Sequence, residues 1–88
     1  MRVLLFAQVR ELVGADHTDI SCEEGKSTIS AATIKAKISE ALNADESLKA
    51  LLERCMVAID NEYAMDVNEE IAVSESTEVA IIPPVSGG

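Results

Sequence analysis

Two nearly unbroken apolar runs stand at opposite ends of the chain, Val3-Leu4-Leu5-Phe6-Ala7 and Val79-Ala80-Ile81-Ile82. Continuous apolar runs of this length suit strands covered on both faces better than a half-exposed edge, where polar and apolar residues would alternate. We therefore expect a central strand over residues 2 to 8 and a second buried strand at the C-terminal end. Val9 to Val13 can form a short turn of helix ended by Gly14, and Thr18-Asp19-Ile20-Ser21-Cys22 reads as a shorter strand closing a hairpin with the first.

A turn signal, Glu23-Glu24-Gly25-Lys26, precedes the first extended helical pattern. Ser27 or Thr28 is placed to cap a helix in which Ala31, Ile34, Ile38, Ala41 and Leu42 recur at helical spacing, with Lys35, Lys37 and Glu40 pointing away. Asn43 to Asp45 interrupt that stripe. Leu48, Leu51, Leu52 and Cys55 then mark a second, shorter helical face, with Glu46 in its first turn, where a negative charge complements the helix dipole. Met56-Val57-Ala58-Ile59 predicts a third strand. Asp60-Asn61 tolerates the left-handed backbone of a tight turn and leads into Tyr63-Ala64-Met65. Between Asp66 and Ser76 the chain is polar and acidic, anchored by Val67, Ile71 and Val73. The order β-β-α-β-β-β, with the first and last strands as the parallel centre, describes an α+β domain. It is a ubiquitin-like β-grasp with a mixed sheet of about five strands, and one main and one short helix on one face.

With 88 residues there is room for a single core, and a large buried catalytic cavity is not expected. Hydrophobic residues make up 48% of the chain but aromatic ones only 2%, Phe6 and Tyr63, so Leu, Ile, Val and Ala must supply the burial. Seven basic residues against sixteen acidic ones give a formal charge of -9, a field that repels nucleic acid and anionic lipid and attracts a protein with a basic face. Neither nucleic acid nor membrane is expected as a partner. Cys22 and Cys55 stand far apart, with no CxxC and no neighbouring His, so no metal site is expected and both read as structural thiols in a reducing compartment. Residues 3 to 7 are too few for a signal segment or a membrane span, which points to the cytoplasm. His17, the sole imidazole, falls in a polar turn without a nucleophile beside it and is not read as catalytic.

The candidate chemistry lies at the end. Pro83 and Pro84 cannot donate to a ladder and each fixes its backbone near an extended form, so the chain must leave the sheet there. We divide the chain into a domain over residues 1–83 and a flexible tail over 84–88. Val85, Ser86, Gly87 and Gly88 form a thin peptide whose last two residues have no side chain to obstruct a narrow channel. Its distinctive reactive group is the terminal carboxylate, a poor electrophile at neutral pH until ATP converts it to an acyl-adenylate.

Three stretches in order carry a resemblance that covers nearly the whole chain: Phe6-Ala7-Gln8-Val9-Arg10-Glu11-Leu12-Val13-Gly14, Val57-Ala58-Ile59-Asp60-Asn61-Glu62-Tyr63, and Ile81-Ile82-Pro83-Pro84-Val85-Ser86-Gly87-Gly88. The sequence resembles the molybdopterin synthase small subunit (MoaD) family. That resemblance implies a sulfur carrier without catalytic side chains of its own. Its terminal glycine, here Gly88, is adenylated by a ubiquitin-activating-type (MoeB-like) enzyme using ATP and Mg, and a sulfur donor converts it to a thiocarboxylate. The loaded tail enters a MoaE-like large subunit in a heterotetramer and gives sulfur to cyclic pyranopterin monophosphate, so the chain itself binds no cofactor. By the same resemblance Ile81, Ile82, Pro83, Pro84, Val85, Ser86 and Gly87 contact the partner, and Arg10 and Glu11 match the family's opening. Ile81 and Ile82 depart from the pattern, since many members carry aromatic residues there. A carrier for another pathway such as thiamine thiazole synthesis, a ubiquitin-like protein modifier, and a non-covalent β-grasp module share the same general features.

Overall fold

The computed structural model describes residues 1–22, 25 and 27–84. Strand β1 (Arg2–Leu5) ends earlier than the apolar run suggests, because Phe6, still extended, is the N-cap of helix α1 (Ala7–Val13). The run outlasts the strand only through Phe6 and Ala7, which are both exposed; Val3 and Leu5 enter the core from the strand and Val9, beyond the run, enters it from the helix. Gly14 closes α1 with φ 80°, a left-handed conformation natural to glycine, and its N–H bonds the Arg10 carbonyl. Arg10 and Glu11 are exposed on this helix. The chain then returns through β2 (His17–Asp19), antiparallel to β1, with Val3 opposite Thr18. Strand β2 thus begins before the predicted Thr18 and stops before Ile20, and His17 belongs to it.

Of the predicted turn signal, Glu23, Glu24 and Lys26 lie outside the described residues, and Gly25 has φ 81°. The expected helix cap at Ser27 or Thr28 is displaced. Thr28 and Ile29 form β3 (Thr28–Ile29), and Ser30 caps α2 (Ala31–Ala41), its hydroxyl accepting the Thr33 N–H at 3.2 Å. Helix α2 buries Ala31, Ile34 and Ile38, while the predicted stripe fades at its end: Leu42 is half-buried and Ala41 exposed. Helix α3 (Glu46–Arg54) is capped by Asp45, whose carboxylate accepts the Leu48 N–H at 2.9 Å, and it buries Leu48, Leu51 and Leu52.

Strand β4 (Met56–Ile59) and β5 (Glu62–Tyr63) form the expected hairpin; Asp60 and Asn61 have φ 48° and 70°, as a primed turn requires. The acidic connection after Met65 holds a further short strand, β6 (Ile71–Ala72), paired antiparallel with β3 in a separate two-stranded sheet. The last strand, β7 (Glu78–Ile82), is central. The main sheet has the order β2-β1-β7-β4-β5, with β7 parallel to β1 and antiparallel to β4. The mixed five-stranded sheet with its helices on one face is a ubiquitin-like β-grasp, as the element order implied.

One face of this sheet is sealed. Val3, Leu5, Val57, Ile59, Val79 and Ile81 join the buried helix residues in one core, and each of them is at most 5% exposed. The other face is not covered: Leu4, Ala80 and Ile82 are half-buried, so the two long apolar strands are not enclosed on both sides as expected. Among the described residues no helix is long and apolar enough to cross a membrane.

Both cysteines are free. Cys55, at the C-terminus of α3, is buried, its thiol 3.2 Å from the Leu51 carbonyl, and burial raises its pKa against the opposing influence of Lys35 and Arg54. Cys22 is half-buried. Because the thiolate is the nucleophile, Cys55 should resist alkylation in the native protein and react only on unfolding, while Cys22 reacts first. Mass-spectrometric counting of labelled thiols along a urea series, at a pH below the ordinary thiol value, checks this; equal native labelling rates would contradict it.

Candidate functional site

The position of β7 decides what surrounds the point where the chain leaves the sheet. Its register is fixed from both sides: Leu4 and Ala58 flank Ala80, and Leu5 and Val57 flank Ile81. At its start, Asp60 adds a clamp, its N–H donating to the Glu78 carbonyl at 2.8 Å and its carboxylate accepting the Glu78 N–H at 2.9 Å. A turn residue of the β4–β5 hairpin therefore holds the strand that precedes the tail. At the other end, Pro83 and Pro84 follow Ile82 directly and the ladder stops, with Pro83 buried and Pro84 half-buried.

The residues predicted to contact a partner divide by face. Ile81 has no exposed surface and belongs to the core beneath the sheet, so it cannot itself meet a docked protein. Ile82 is on the opposite, open face with Met56 as its cross-strand neighbour, and Met56 is 39% exposed. The adjoining row reads His17, Leu4, Ala80, Ala58 and Tyr63 across the five strands. Tyr63 is 56% exposed. Phe6, exposed at the end of β1, follows Leu5 and thus stands at the same end of the sheet as Ile82. The third row, at the far end, is charged: Asp19, Arg2 and Glu78 are aligned. The open face therefore grades from charged to apolar toward the exit of the tail. The alternation hidden inside two apolar runs could not reveal this gradient; the signal that finds it is the pairing register.

Val85, Ser86, Gly87 and Gly88 lie outside the described residues. Among those described, no group of three or more His, Cys, Asp or Glu is arranged to hold a metal ion. His17 contacts Asp16, Nδ1 to Oδ1 2.8 Å, and this bond is the main reason the Asp16 carboxyl is held below its ordinary pKa.

A family model described as the ThiS family matches residues 3–88. The chain belongs to the ThiS family. A curated relative, the molybdopterin synthase sulfur carrier subunit of Chlamydomonas reinhardtii, is 31% identical over 88 residues, covering 100% of this chain and 98% of the relative. Among solved structures, SAMP1 from Haloferax volcanii superposes with TM-score 0.73 at 23% identity, over 99% of this chain and 97% of that one. A complex of subunits 1 and 2 of molybdopterin-converting factor from Helicobacter pylori gives TM-score 0.61 at 20% identity, covering 99% and 96%. These likenesses establish the β-grasp fold of this ThiS-family chain.

The two faces of β7 make a direct contrast. Ile81→Ala should destabilise the protein by roughly 2–5 kcal/mol, the range for truncating a fully buried Ile, whereas Ile82→Ala should cost clearly less because its side chain is already partly hydrated. Urea unfolding of the two variants measures the difference; equal losses would contradict the assignment of faces.

Proposed function

We propose that this ThiS-family chain is the sulfur carrier subunit of molybdopterin synthase, with Gly88 as the point of sulfur attachment. The observation that carries the reading is the placement of β7. A central strand, paired on both sides, ends at a diproline that two residues separate from Gly87-Gly88, beside the apolar end of an open face. The names of the curated relatives support the same assignment.

The chemistry follows from the terminal carboxylate. An activating enzyme joins a Gly88 carboxylate oxygen to the α-phosphorus of ATP and releases pyrophosphate; the acyl-adenylate then has AMP as a good leaving group. Hydrosulfide displaces AMP directly, or a donor persulfide does so to give an acyl disulfide whose S–S bond a second thiol then cleaves; either route leaves a thiocarboxylate on Gly88. The thiocarboxylate sulfur bonds to cyclic pyranopterin monophosphate, water hydrolyses the acyl–sulfur bond and so restores the carboxylate, and two such deliveries complete a dithiolene. The carrier's task is to present one atom at a fixed reach while its partners supply the catalytic groups. Gly87 matters because a side chain there would widen a peptide that must thread a channel, and Pro83 to Ser86 form its stem.

The large subunit would dock on the open face. The Helicobacter relative forms a complex of two subunits. On this chain the apolar end of the face, with Met56 and Ile82, adjoins Tyr63, an exposed aromatic of the type on which interface energy concentrates. Acidic residues elsewhere would accelerate the encounter with a basic partner.

Two predictions test these separate parts. Deleting Gly88, extending the chain beyond it, or Gly87→Val should leave thermal unfolding unchanged and lower ATP-dependent adenylation or product formation by about 10²-fold or more, as expected when a reacting atom is misplaced. A Gly88 deletion that still makes molybdopterin would refute the reading. Tyr63→Ala should leave the fold and adenylate chemistry in place but weaken binding to a cognate large subunit by about tenfold or more, measured by titration calorimetry. Unchanged affinity would move the docking surface elsewhere.

A further inference from the structure

On the side of the molecule away from the open sheet face, α2 and α3 lie side by side and leave a surface groove of about 430 Å³. Ala32 and Ala36 open it from α2, one turn apart, and their small side chains are what leave the trough unfilled. Leu52 forms the apolar floor from α3, and Val67, 44% exposed, closes one end. Lys35 and Lys49 stand on opposite helices at its border. Lys35 is partly ordered by donating to the Glu53 carbonyl at 3.1 Å. From Ala32 to Ser39 the groove runs about 10 Å at a rise of about 1.5 Å per residue, the length of two helical turns.

Its charge sets it apart. Helix α2 carries Lys35 and Lys37 against Glu40, and α3 carries Lys49 and Arg54 against Glu46 and Glu53, so the two helices together have a formal charge of +1. The whole chain has -9, which leaves -10 on the remainder. With Asp45, the α3 cap, counted in, the pair is neutral, so an acidic segment is repelled less there than by the rest of the chain. Among the described residues Glu53 is the one carboxylate lining the groove, outnumbered there by Lys35 and Lys49.

We propose that the α2–α3 groove is a second protein-docking site, separate from the open sheet face. Its occupant is an acidic amphipathic helix of a partner, with medium-sized apolar side chains at i and i+4 and Asp or Glu on either flank. The apolar pair enters the trough over Leu52 between Ala32 and Ala36, and the flanking carboxylates meet Lys35 and Lys49. Because the sheet and core separate the two surfaces, one partner can hold the carrier by its helices while another engages the face beside the tail.

The test is an amide chemical-shift titration of the full-length ¹⁵N-labelled protein with two synthetic helical peptides. One has Leu at i and i+4 flanked by Glu; the other has Lys in place of Glu. The acidic peptide should shift amides of α2, α3 and Val67, more strongly at low salt, and the basic peptide should leave them in place. Lys35→Glu with Lys49→Glu should weaken the acidic peptide by about tenfold, and Ala36→Leu, which fills the trough without altering charge, should abolish the same shifts. The proposal is overturned if the acidic peptide shifts no amides in α2, α3 or Val67, if it perturbs the open sheet face instead, or if both variants bind it as well as the parent. It is equally overturned if the groove amides shift with protein concentration alone, which would assign the groove to a second copy of this chain.

Discussion

The pairing of β7 between β1 and β4 governs everything else. A C-terminal strand at a sheet edge could fray, and the position of whatever follows it would drift. Here the strand is bonded along both edges, its Val79 and Ile81 are fully buried, and its first residue is clamped by Asp60. Slipping it by one residue would drive Ala80 and Ile82 into the core and expose the other two, so the register is strongly specified. Two prolines then end the ladder abruptly. The point at which the chain leaves the sheet is thereby fixed.

The same pairing creates the open face. With helices α1, α2 and α3 sealing one side of a sheet only five strands wide, every second residue of β1, β4 and β7 is left on the other side. Those residues are apolar near the tail and charged at the far end. Apolar surface that no element among the described residues covers is costly to leave in water, and it lies beside the exit of β7, where the proposed partner would dock. The α2–α3 pair, formally neutral with its cap Asp45 in an otherwise acidic protein, has a different character.

Much of this architecture is legible from residue pattern. Asp60-Asn61 announces the primed turn, Gly14 the end of α1, and Leu48, Leu51 and Leu52 the buried side of α3. The failures share a cause, which is that long-range pairing overrides local signals. Thr28 is a plausible cap by chemistry, but it lies in a short ladder with Ile71 and Ala72, more than forty residues on, and Ser30 caps instead. The boundary after Leu5 is invisible because Phe6 and Ala7 prolong the apolar run although both are exposed. Ile81 and Ile82 look equivalent in sequence, yet only the register shows that one faces the core and the other the open side. The importance assigned to Gly87 and Gly88 rests on composition, the diproline and family membership.

The central claim is that the terminal carboxylate of Gly88 carries the sulfur, and it is tested most directly by the intact mass of the chain isolated from its native cell under conditions that preserve thioacids. The account predicts a population in which one oxygen is replaced by sulfur, localised by fragmentation to the last residue and lost when activating enzyme or sulfur donor is removed. Sulfur found instead on Cys22 or Cys55, or a terminus that stays fully carboxylate in cells actively making the cofactor, would contradict it.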